Sequence, residues 1–281
     1  MRRSKRRSRG SVFRPVVALV LVLACWAISQ GTGDEPKLVA EAAIALDMET
    51  GKVLFEKNAQ APMYPASLTK LMTALLLSEH REPVDALTYS ARAWAQIPVK
   101  IDLRVGSNIS AADAMDAMLI GSANDIAYMI AENLCGNEEA FAELMNARAD
   151  SLGLNSTHFT NASGLHDDNH YSTASDLASL FREALRDPWI RKTMAKNTAT
   201  LESARPSGPD PLKTLTVANT NLLLGAQGCV AGKTGYTSMA GKCLAALYER
   251  DGRQVIAVVL KSETDDTLRT DMESVIDWVL K

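Results

Sequence analysis

The hydrophobic pattern changes character twice along the chain, and each change predicts a change of secondary structure. Short apolar stretches bounded by turn residues occur near both ends and predict strands, whereas helical patterns dominate from 110 to 185. The predicted strands are 42–48, 52–56, 229–236, 242–248 and 254–260. The predicted helices are 67–77, 111–120, 123–135, 137–153, 173–185 and 272–280.

Turn and cap residues support these boundaries. Ser110 is a suitable N-cap for the helix that follows it, Gly136 is a suitable C-cap, and Asp251-Gly252 is a strong signal for a two-residue hairpin. Strands from both ends and helices from the middle predict an α/β fold of the α+β type, in which one antiparallel sheet is assembled from both termini and backed by helices. A helical subdomain at about 85–185 is inserted, and the cleft between it and the sheet is the expected place for a site.

The first 36 residues differ in composition from the rest. Seven basic residues lie within the first 14 positions, an unbroken apolar run follows at 16–28, and a Gly-Thr-Gly linker comes after it. A basic head before a short apolar run predicts an export signal, although flanking residues can also stretch the run into an uncleaved N-terminal membrane anchor. Cys25 matches a lipoprotein site only weakly. The chain is therefore expected outside the cytoplasm, either secreted or held at the outer face of the cytoplasmic membrane through this segment alone.

Charge narrows the list of partners. The 281-residue chain has a formal charge of −3, but seven of its 30 basic residues belong to the N-terminal head, which leaves 23 basic residues against 33 acidic ones. An acidic domain argues against a nucleic-acid partner. With 47% hydrophobic residues, the composition is that of an ordinary globular domain, which is predicted to span 37–281.

Three short motifs carry the candidate chemistry: Ser67-x-x-Lys70, Ser122-Ala123-Asn124 and Lys233-Thr234-Gly235. A Ser-x-x-Lys pattern is expected about once by chance in a chain of this length, and Lys-Thr-Gly on the order of 0.05 times. Their placement is more informative, because the first motif opens a predicted helix, the second lies at a helix junction and the third lies on a strand. Together they indicate one site.

The first motif provides a nucleophile and a base. Residues three apart on a helix share a face, so Lys70 can reach the hydroxyl of Ser67. A serine hydroxyl is a poor nucleophile until a base takes its proton, and lysine is such a base only when its charged form is disfavoured. Burial and a second cation, Lys233, would both lower the pKa of Lys70. The backbone N–H of Ser67, at the helix start, is expected to stabilise an oxyanion.

The second motif is expected to move a proton and to hold the substrate. Ser122 can pass a proton between Lys70 or Lys233 and a leaving nitrogen, and Asn124 can hold a substrate amide.

The third motif suits an exposed strand edge to which a peptide adds as a further strand. Lys233 and Thr234 would hold a terminal carboxylate there, and Gly235 would keep the approach free of side chains. The backbone N–H of Tyr236 is the candidate second oxyanion donor.

Each motif also has an ordinary structural interpretation. Lys70 alone would be a solvated charge, Ser122 a helix cap and Lys233 a charged edge-strand residue that discourages aggregation. All three interpretations would have to hold together by coincidence, which makes the catalytic one preferable.

The same residues resemble the active-serine penicillin-recognising superfamily, whose β-lactamase-like and transpeptidase-like members share these three motifs. The longer context resembles one branch, the serine D-alanyl-D-alanine carboxypeptidases or low-molecular-mass penicillin-binding proteins. The matching stretches occur in order at 65–73, 121–125, 141–153, 157–159, 164–165, 170–172, 219–221 and 233–237. The resemblance covers about 38–281.

The resemblance implies a five-stranded antiparallel sheet flanked by helices, with an inserted all-helical subdomain. It implies an enzyme that removes the terminal D-Ala from peptidoglycan stem pentapeptides through an acyl-enzyme and that β-lactams inhibit covalently, without a metal or an organic cofactor. The implied roles are Ser67 as nucleophile, Lys70 as base, Ser122 and Lys233 in proton relay, and Asn124 and Thr234 as substrate-binding residues. An arginine for the terminal carboxylate is also implied, and Arg269 lies within about one residue of its place. The added C-terminal β-domain of many members is not expected here.

Four other functions remain open. An endopeptidase that cuts peptidoglycan cross-links would use the same residues. A β-lactamase would need fast deacylation, and the Glu-x-x-Leu-Asn segment that one large group uses does not occur between 161 and 196. A zinc site at His166-Asp167-Asp168-Asn169-His170 lacks an evident third and fourth ligand group. A penicillin receptor without catalysis would not need the complete set of lysines and serines.

Overall fold

The computed structural model describes residues 35–204 and 213–281. Its main sheet has five antiparallel strands in the order β2-β1-β9-β8-β7, and it confirms the predicted assembly from both ends of the sequence. The strands are β1 (Ala42–Asp47), β2 (Val53–Lys57), β7 (Cys229–Thr237), β8 (Gly241–Arg250) and β9 (Arg253–Ser262). Strand β7 therefore forms one edge of this sheet.

The β8–β9 hairpin turns at the predicted dipeptide. Asp251 and Gly252 both have positive φ, of 50° and 75°, which is the requirement of the two-residue turn whose twist matches that of paired strands. Strand β9 then alternates between two apolar clusters, because successive side chains of a strand point to opposite faces. Val255, Ala257 and Val259 belong to one cluster, and the residues between them belong to the other.

Eight α-helices occur in the described residues: α1 (Lys70–His80), α2 (Ala91–Trp94), α3 (Ala111–Leu119), α4 (Asn124–Cys135), α5 (Glu138–Ser151), α6 (Ala174–Ala184), α7 (Pro188–Met194) and α8 (Asp265–Val279). Helix α8 covers one face of the sheet through Leu268, Met272, Val275 and Ile276. Helix α1 lies in the core beyond the other face, and its residues 70–77 are all buried, including the polar Lys70 and Thr73.

The predicted caps are confirmed. The side chain of Ser110 accepts a hydrogen bond from the backbone N–H of Asp113 at the start of α3. Gly136 ends α4 with a φ of 82°, and Thr173 caps α6. Helix α8 begins seven residues earlier than the prediction of 272, because its first turn is polar and is fixed by a capping box between Thr264 and Thr267 rather than by an apolar pattern.

A second sheet corrects the description of the insert as all-helical. Its four antiparallel strands have the order β3-β4-β5-β6, and they are β3 (Ala86–Thr88), β4 (Asn108–Ser110), β5 (Thr198–Ala204) and β6 (Lys213–Ala218). Strands β3 and β4 have three residues each, which is too short to leave a hydrophobic period in the sequence.

The predicted export signal or anchor lies outside the described residues. Within the described part of the chain, no helix has both the length and the apolar character needed to cross a bilayer.

Candidate active site

The three motifs meet at a cavity of about 300 Å³ beside strand β7. Its lining residues come from the nucleophile turn, the insert and the strand edge: Ser67, Pro98, Val99, Asn124, Ser163, Gly164, Leu165, His166, Tyr236, Thr237 and Ser238. The sequence predicted a site in a cleft between the insert and the sheet, and this cavity is lined by residues of both.

Ser67 lies on a 3-10 helix, Ala66–Thr69, that leads directly into α1. The sequence predicted an α-helix here, but the tighter turn serves the motif better, since side chains three apart are eclipsed in a 3-10 helix. Ala66 and Ser122 both have positive φ, of 48° and 59°. Ser122 belongs to the second motif, and Ala66 directly precedes the first. Left-handed backbone in residues other than glycine is strained and is concentrated at functional sites.

Lys70 is fully buried, and its Nζ lies 2.8 Å from Ser67 Oγ. It also lies 2.8 Å from Asn124 Oδ1 and 2.7 Å from the carbonyl oxygen of Ser163. Burial lowers the pKa of Lys70 well below its usual value, the charge of Lys233 lowers it further, and Asp125 opposes both. Burial is the largest of these effects, so the charged form of Lys70 is less favoured than in an exposed lysine.

A neutral amine has two N–H groups and one lone pair. Asn124 Oδ1 and the Ser163 carbonyl can only accept, so they take the two N–H groups of Lys70. Lys70 Nζ donates to Ser67 Oγ at 2.8 Å, and in a neutral Lys70 the lone pair would face the same oxygen and could accept its proton. The contact between Lys70 and Ser67 that the spacing predicted is present, and the role of Lys70 as a base stays a prediction.

Ser122 and Lys233 form a second serine–lysine pair. Lys233 Nζ donates to Ser122 Oγ at 2.9 Å and to the carbonyl of Thr234 at 3.0 Å. Burial lowers the pKa of Lys233 to about 7, so this lysine can gain or lose a proton near neutrality. Both pairs therefore consist of a buried amine beside a half-buried hydroxyl.

Gly235 is needed for a close approach, and the group that approaches it is the backbone around Ser67. The sequence predicted a substrate carboxylate in this place. A Cβ atom at 235 would lie 3.1 Å from both the backbone nitrogen of Ser67 and the carbonyl oxygen of Pro65. The missing side chain therefore lets β7 lie against the nucleophile turn. This approach brings the backbone of the next residue, Tyr236, beside Ser67, while the Tyr236 ring is exposed and contacts the ammonium of Lys242 at 4.7 Å.

Thr234 lines a smaller pocket of about 130 Å³ together with Arg269. Thr234 Oγ1 lies 2.6 Å from Thr220 Oγ1. Arg269 is half-exposed on α8 and lies within 3.5 Å of Asp266 and 3.7 Å of Glu273. Its placement beside Thr234 is compatible with carboxylate binding, and that role stays a prediction.

The sequence interpretation missed the loop that supplies the Ser163 carbonyl. Asn161 organises this loop, because its Oδ1 accepts from the backbone N–H groups of Ser163, Gly164 and Leu165 at 3.2, 2.7 and 3.1 Å. An Asn that bonds the backbone two to four residues onward is a recognised turn signal, so the segment Asn-Ala-Ser-Gly could have been singled out.

Asp125 was also missed, although it follows Asn124 directly. It is fully buried, and its carboxylate accepts from Tyr89 Oη at 2.8 Å and from the backbone N–H groups of Ile101 and Asp102 at 3.0 Å. These bonds hold the segment that carries two cavity-lining residues, Pro98 and Val99.

The two histidines of the zinc hypothesis have separate environments. His170 is buried, its Nε2 lies 2.7 Å from Thr69 Oγ1, and its Nδ1 accepts from the backbone N–H of Thr160 at 3.1 Å. Burial lowers the pKa of His170 to about 4, so it is neutral at pH 7 and donates through Nε2 to Thr69. His166 packs edge-on against the Tyr64 ring, with centroids 4.7 Å apart. Within 35–204 and 213–281, no three His, Cys, Asp or Glu residues are grouped to hold a metal ion.

A two-sheet α+β fold with paired serines and lysines at the edge of a five-stranded sheet defines the active-serine, penicillin-recognising class of proteins. The sequence matches the model of one family in this class, peptidase S11, described as D-alanyl-D-alanine carboxypeptidase, over residues 29–264. The chain belongs to this family.

Curated relatives and solved structures agree with this assignment. The chain is 33% identical over 245 residues to the D-alanyl-D-alanine carboxypeptidase DacF of Bacillus subtilis, covering 85% of this chain and 61% of that protein. It is 30% identical to a D-alanyl-D-alanine endopeptidase of Escherichia coli, covering 96% of this chain and 88% of that one.

Among solved structures, the DD-transpeptidase of Streptomyces K15 matches with a TM-score of 0.83 and 25% identity, covering 88% of this chain and 99% of that chain. The D-alanyl-D-alanine carboxypeptidase of Mycobacterium tuberculosis H37Rv matches with a TM-score of 0.81 and 26% identity, covering 89% and 94%.

Proposed function

We propose that the chain is a serine DD-carboxypeptidase that removes the terminal D-alanine from peptidoglycan stem pentapeptides through an acyl-enzyme on Ser67. The observation that carries the proposal is a fully buried Lys70 whose Nζ lies 2.8 Å from Ser67 Oγ and whose pKa is lowered well below its usual value by burial. The family and the carboxypeptidase names of its members support the choice of substrate.

Acylation begins when Ser67 Oγ attacks the carbonyl carbon of the penultimate D-alanine and gives its proton to Lys70. The resulting ammonium has three N–H groups, and Ser67 Oγ, Asn124 Oδ1 and the Ser163 carbonyl are three acceptors for them. The same contacts thus suit Lys70 before and after proton transfer, which lowers the cost of reorganisation during the reaction. The backbone N–H groups of Ser67 and Tyr236 stabilise the oxyanion.

The leaving nitrogen of D-alanine needs a proton when the peptide bond breaks. Ser122 supplies it and is recharged by Lys233, which donates to Ser122 Oγ at 2.9 Å. Lys70 then passes the proton taken from Ser67 through Ser122 to Lys233, which restores both lysines to their starting states. A water molecule attacks the Ser67 ester and gives a proton to Lys70, and Lys70 returns this proton to Ser67 Oγ as the ester bond breaks and the shortened peptide leaves. All of these steps use protein groups and water.

The substrate binds as an added strand along the free edge of β7. Asn124 holds an amide group of the peptide, because its Oδ1 is occupied by Lys70 and its amide N–H groups are left for a ligand carbonyl. Thr234, Lys233 and Arg269 hold the terminal carboxylate. β-Lactams enter the same place and acylate Ser67 covalently.

Location and domain organisation follow from the same proposal. A stem peptide is met outside the cytoplasm, so residues 1–36 act as an export signal or as an anchor at the outer face of the cytoplasmic membrane. Residues 37–281 form the catalytic domain. Neither the export segment nor membrane attachment enters the chemistry.

The proposal is tested by mass spectrometry of the intact protein after exposure to penicillin, together with an assay of D-alanine release from a stem pentapeptide. The wild type is expected to gain one penicillin mass and to release D-alanine, whereas Ser67→Ala does neither. Ser179→Ala, which removes an exposed serine on α6 outside the cavity, is the matched control and keeps both activities. A penicillin adduct on Ser67→Ala would contradict the proposal.

An endopeptidase is the second candidate, because the chain covers 88% of the E. coli endopeptidase but only 61% of the B. subtilis carboxypeptidase. The two activities differ in the leaving amine, which is free D-alanine in one and a cross-linked side chain in the other. Comparison of kcat/KM for a pentapeptide and for a cross-linked dimer separates them. A value more than about tenfold higher for the dimer would favour the endopeptidase.

A further inference from the structure

The backbone of Ala162 is held by side chains from two other elements. Its carbonyl oxygen accepts from Thr73 Oγ1 at 2.7 Å, and its N–H donates to Glu138 Oε1 at 3.1 Å. Ala162 and the next residue, Ser163, are buried, and a buried backbone group needs a partner. The turn at Asn161 sets the shape of this loop, whereas the contacts to α1 and α5 set its place.

Two successive carbonyl oxygens of the loop accept hydrogen bonds from side chains one helical turn apart on α1. Thr73 donates to the carbonyl of Ala162, and Lys70 donates to the carbonyl of Ser163 at 2.7 Å. Residues three apart share a face of a helix, so a single face of α1 meets both oxygens. The backbone of Ala162 and the carbonyl that contacts Lys70 are therefore placed together.

Glu138 is a half-buried carboxylate in the first turn of α5, directly after the N-cap Asn137. Burial raises the pKa of Glu138, the N–H of Ala162 lowers it, and the carboxylates of Glu139 and Glu132 raise it. The bond to the Ala162 N–H thus favours the charged form against both burial and its acidic neighbours. A backbone N–H held by a charged carboxylate is held more strongly than by a neutral acceptor.

We propose that Glu138 is a positioning residue for acylation, which holds the N–H of Ala162 and thereby keeps the carbonyl of Ser163 on Lys70 Nζ. With this carbonyl in place, the amine of Lys70 is directed at Ser67 Oγ. Glu138 is not among the residues that line the described cavity of Ser67, so it acts through the loop. The inference rests on the proposed function, in which Lys70 takes the proton of Ser67.

The test measures the first-order rate constant of acylation at saturating penicillin, counted per protein molecule that becomes labelled in the mass spectrum. Glu138→Leu removes the acceptor and is expected to lower this rate constant about tenfold, the size of a lost hydrogen bond to a charged group. Glu138→Gln keeps an acceptor oxygen at the same reach, and its rate constant should stay close to that of the wild type. Glu139→Leu is the matched control, because Glu139 is the adjacent, exposed glutamate of the same helical turn, and it keeps the wild-type rate constant.

Misfolding is distinguished from loss of positioning, because it lowers the fraction of protein that is labelled and leaves the rate constant of the labelled fraction unchanged. Glu138→Asp keeps the charge but withdraws the oxygen from Ala162, so it also lowers the rate constant and covers the case in which Glu138→Leu does not fold. An unchanged rate constant in the leucine or aspartate variant, or an equal loss in Glu138→Gln, would overturn the role of Glu138. A wild-type protein that gains no penicillin would count against the proposed function itself.

Discussion

Gly164 packs so closely against Ala66 that a Cβ atom at residue 164 would lie 1.8 Å from the Ala66 carbonyl oxygen. Ala66 directly precedes Ser67. Ser163 directly precedes Gly164, and its carbonyl oxygen accepts a hydrogen bond from Lys70. The 163–164 peptide therefore contacts the nucleophile turn on one side and the base on the other. This contact, rather than either motif alone, fixes the distance between the hydroxyl and the amine.

We expect Gly164→Ala to abolish acylation, because the methyl group has no room and must push the loop away from the nucleophile turn. Gly153→Ala is the matched control, since Gly153 has a similar φ of 73° but nothing within 4 Å of an added Cβ. The control is expected to lose about 1 kcal/mol of unfolding free energy through backbone strain and to keep its rate of penicillin acylation. Equal acylation rates in the two variants would show that the contact does not matter.

The pKa of Lys233 predicts an upper limit to the pH range of activity. A pKa near 7 means that Lys233 is an ammonium below pH 7 and a neutral amine above it. Its attraction for a terminal carboxylate is therefore lost as the pH rises, and kcat/KM for D-alanine release should fall about tenfold per pH unit well above 7. Lys233→Arg keeps the positive charge at every pH but cannot recharge Ser122, because an arginine does not release its proton in this range, so its kcat/KM should be low throughout and should not show this decline. A decline that remains in the arginine variant would assign it to another group.

The contacts within the first and third motifs could be predicted from the sequence because their geometry is local. Ser67 and Lys70 are joined by one helical turn, and Lys233 to Tyr236 are consecutive on one strand, so a short motif defines each arrangement. The pairing of Ser122 with Lys233 spans 111 positions, and only the motif order suggested it.

The supporting groups could not be predicted in the same way. The Ser163 contact uses a backbone carbonyl, which every residue possesses, and so it leaves no side-chain signature. The short strands of the second sheet are fixed by pairing with distant partners, such as Asn108 with Ala204, rather than by their own pattern. The early start of α8 depends on a cap at Thr264, which a search for apolar periodicity does not detect.

Arg269 gives a prediction about substrate charge. Because it shares a pocket with Thr234, we expect Arg269→Gln to lower kcat/KM for peptides with a free terminal carboxylate by about fivefold, the contribution of a partly exposed ion pair. Peptides that end in an amide should show no such loss. Arg253→Gln, an exposed arginine elsewhere on the surface, controls for the change in net charge. An equal loss on both peptides would assign Arg269 to the structure rather than to the carboxylate.

His170 predicts how the unfolding free energy depends on pH. Its pKa is lowered from 6.5 to about 4 in the folded state by burial, so the unfolded state binds the proton more tightly. The stability linked to this group is fully present above pH 6.5 and is lost as the pH falls to 4, by about 3 kcal/mol for a shift of this size. In His170→Gln the unfolding free energy should be lower at pH 7, because the buried contact with Thr69 is altered, but it should fall less steeply between pH 6.5 and 4. Denaturant unfolding at several pH values measures the slope. His80→Gln, at an exposed position, should keep the wild-type slope, and the same slope in His170→Gln would exclude His170 as its source.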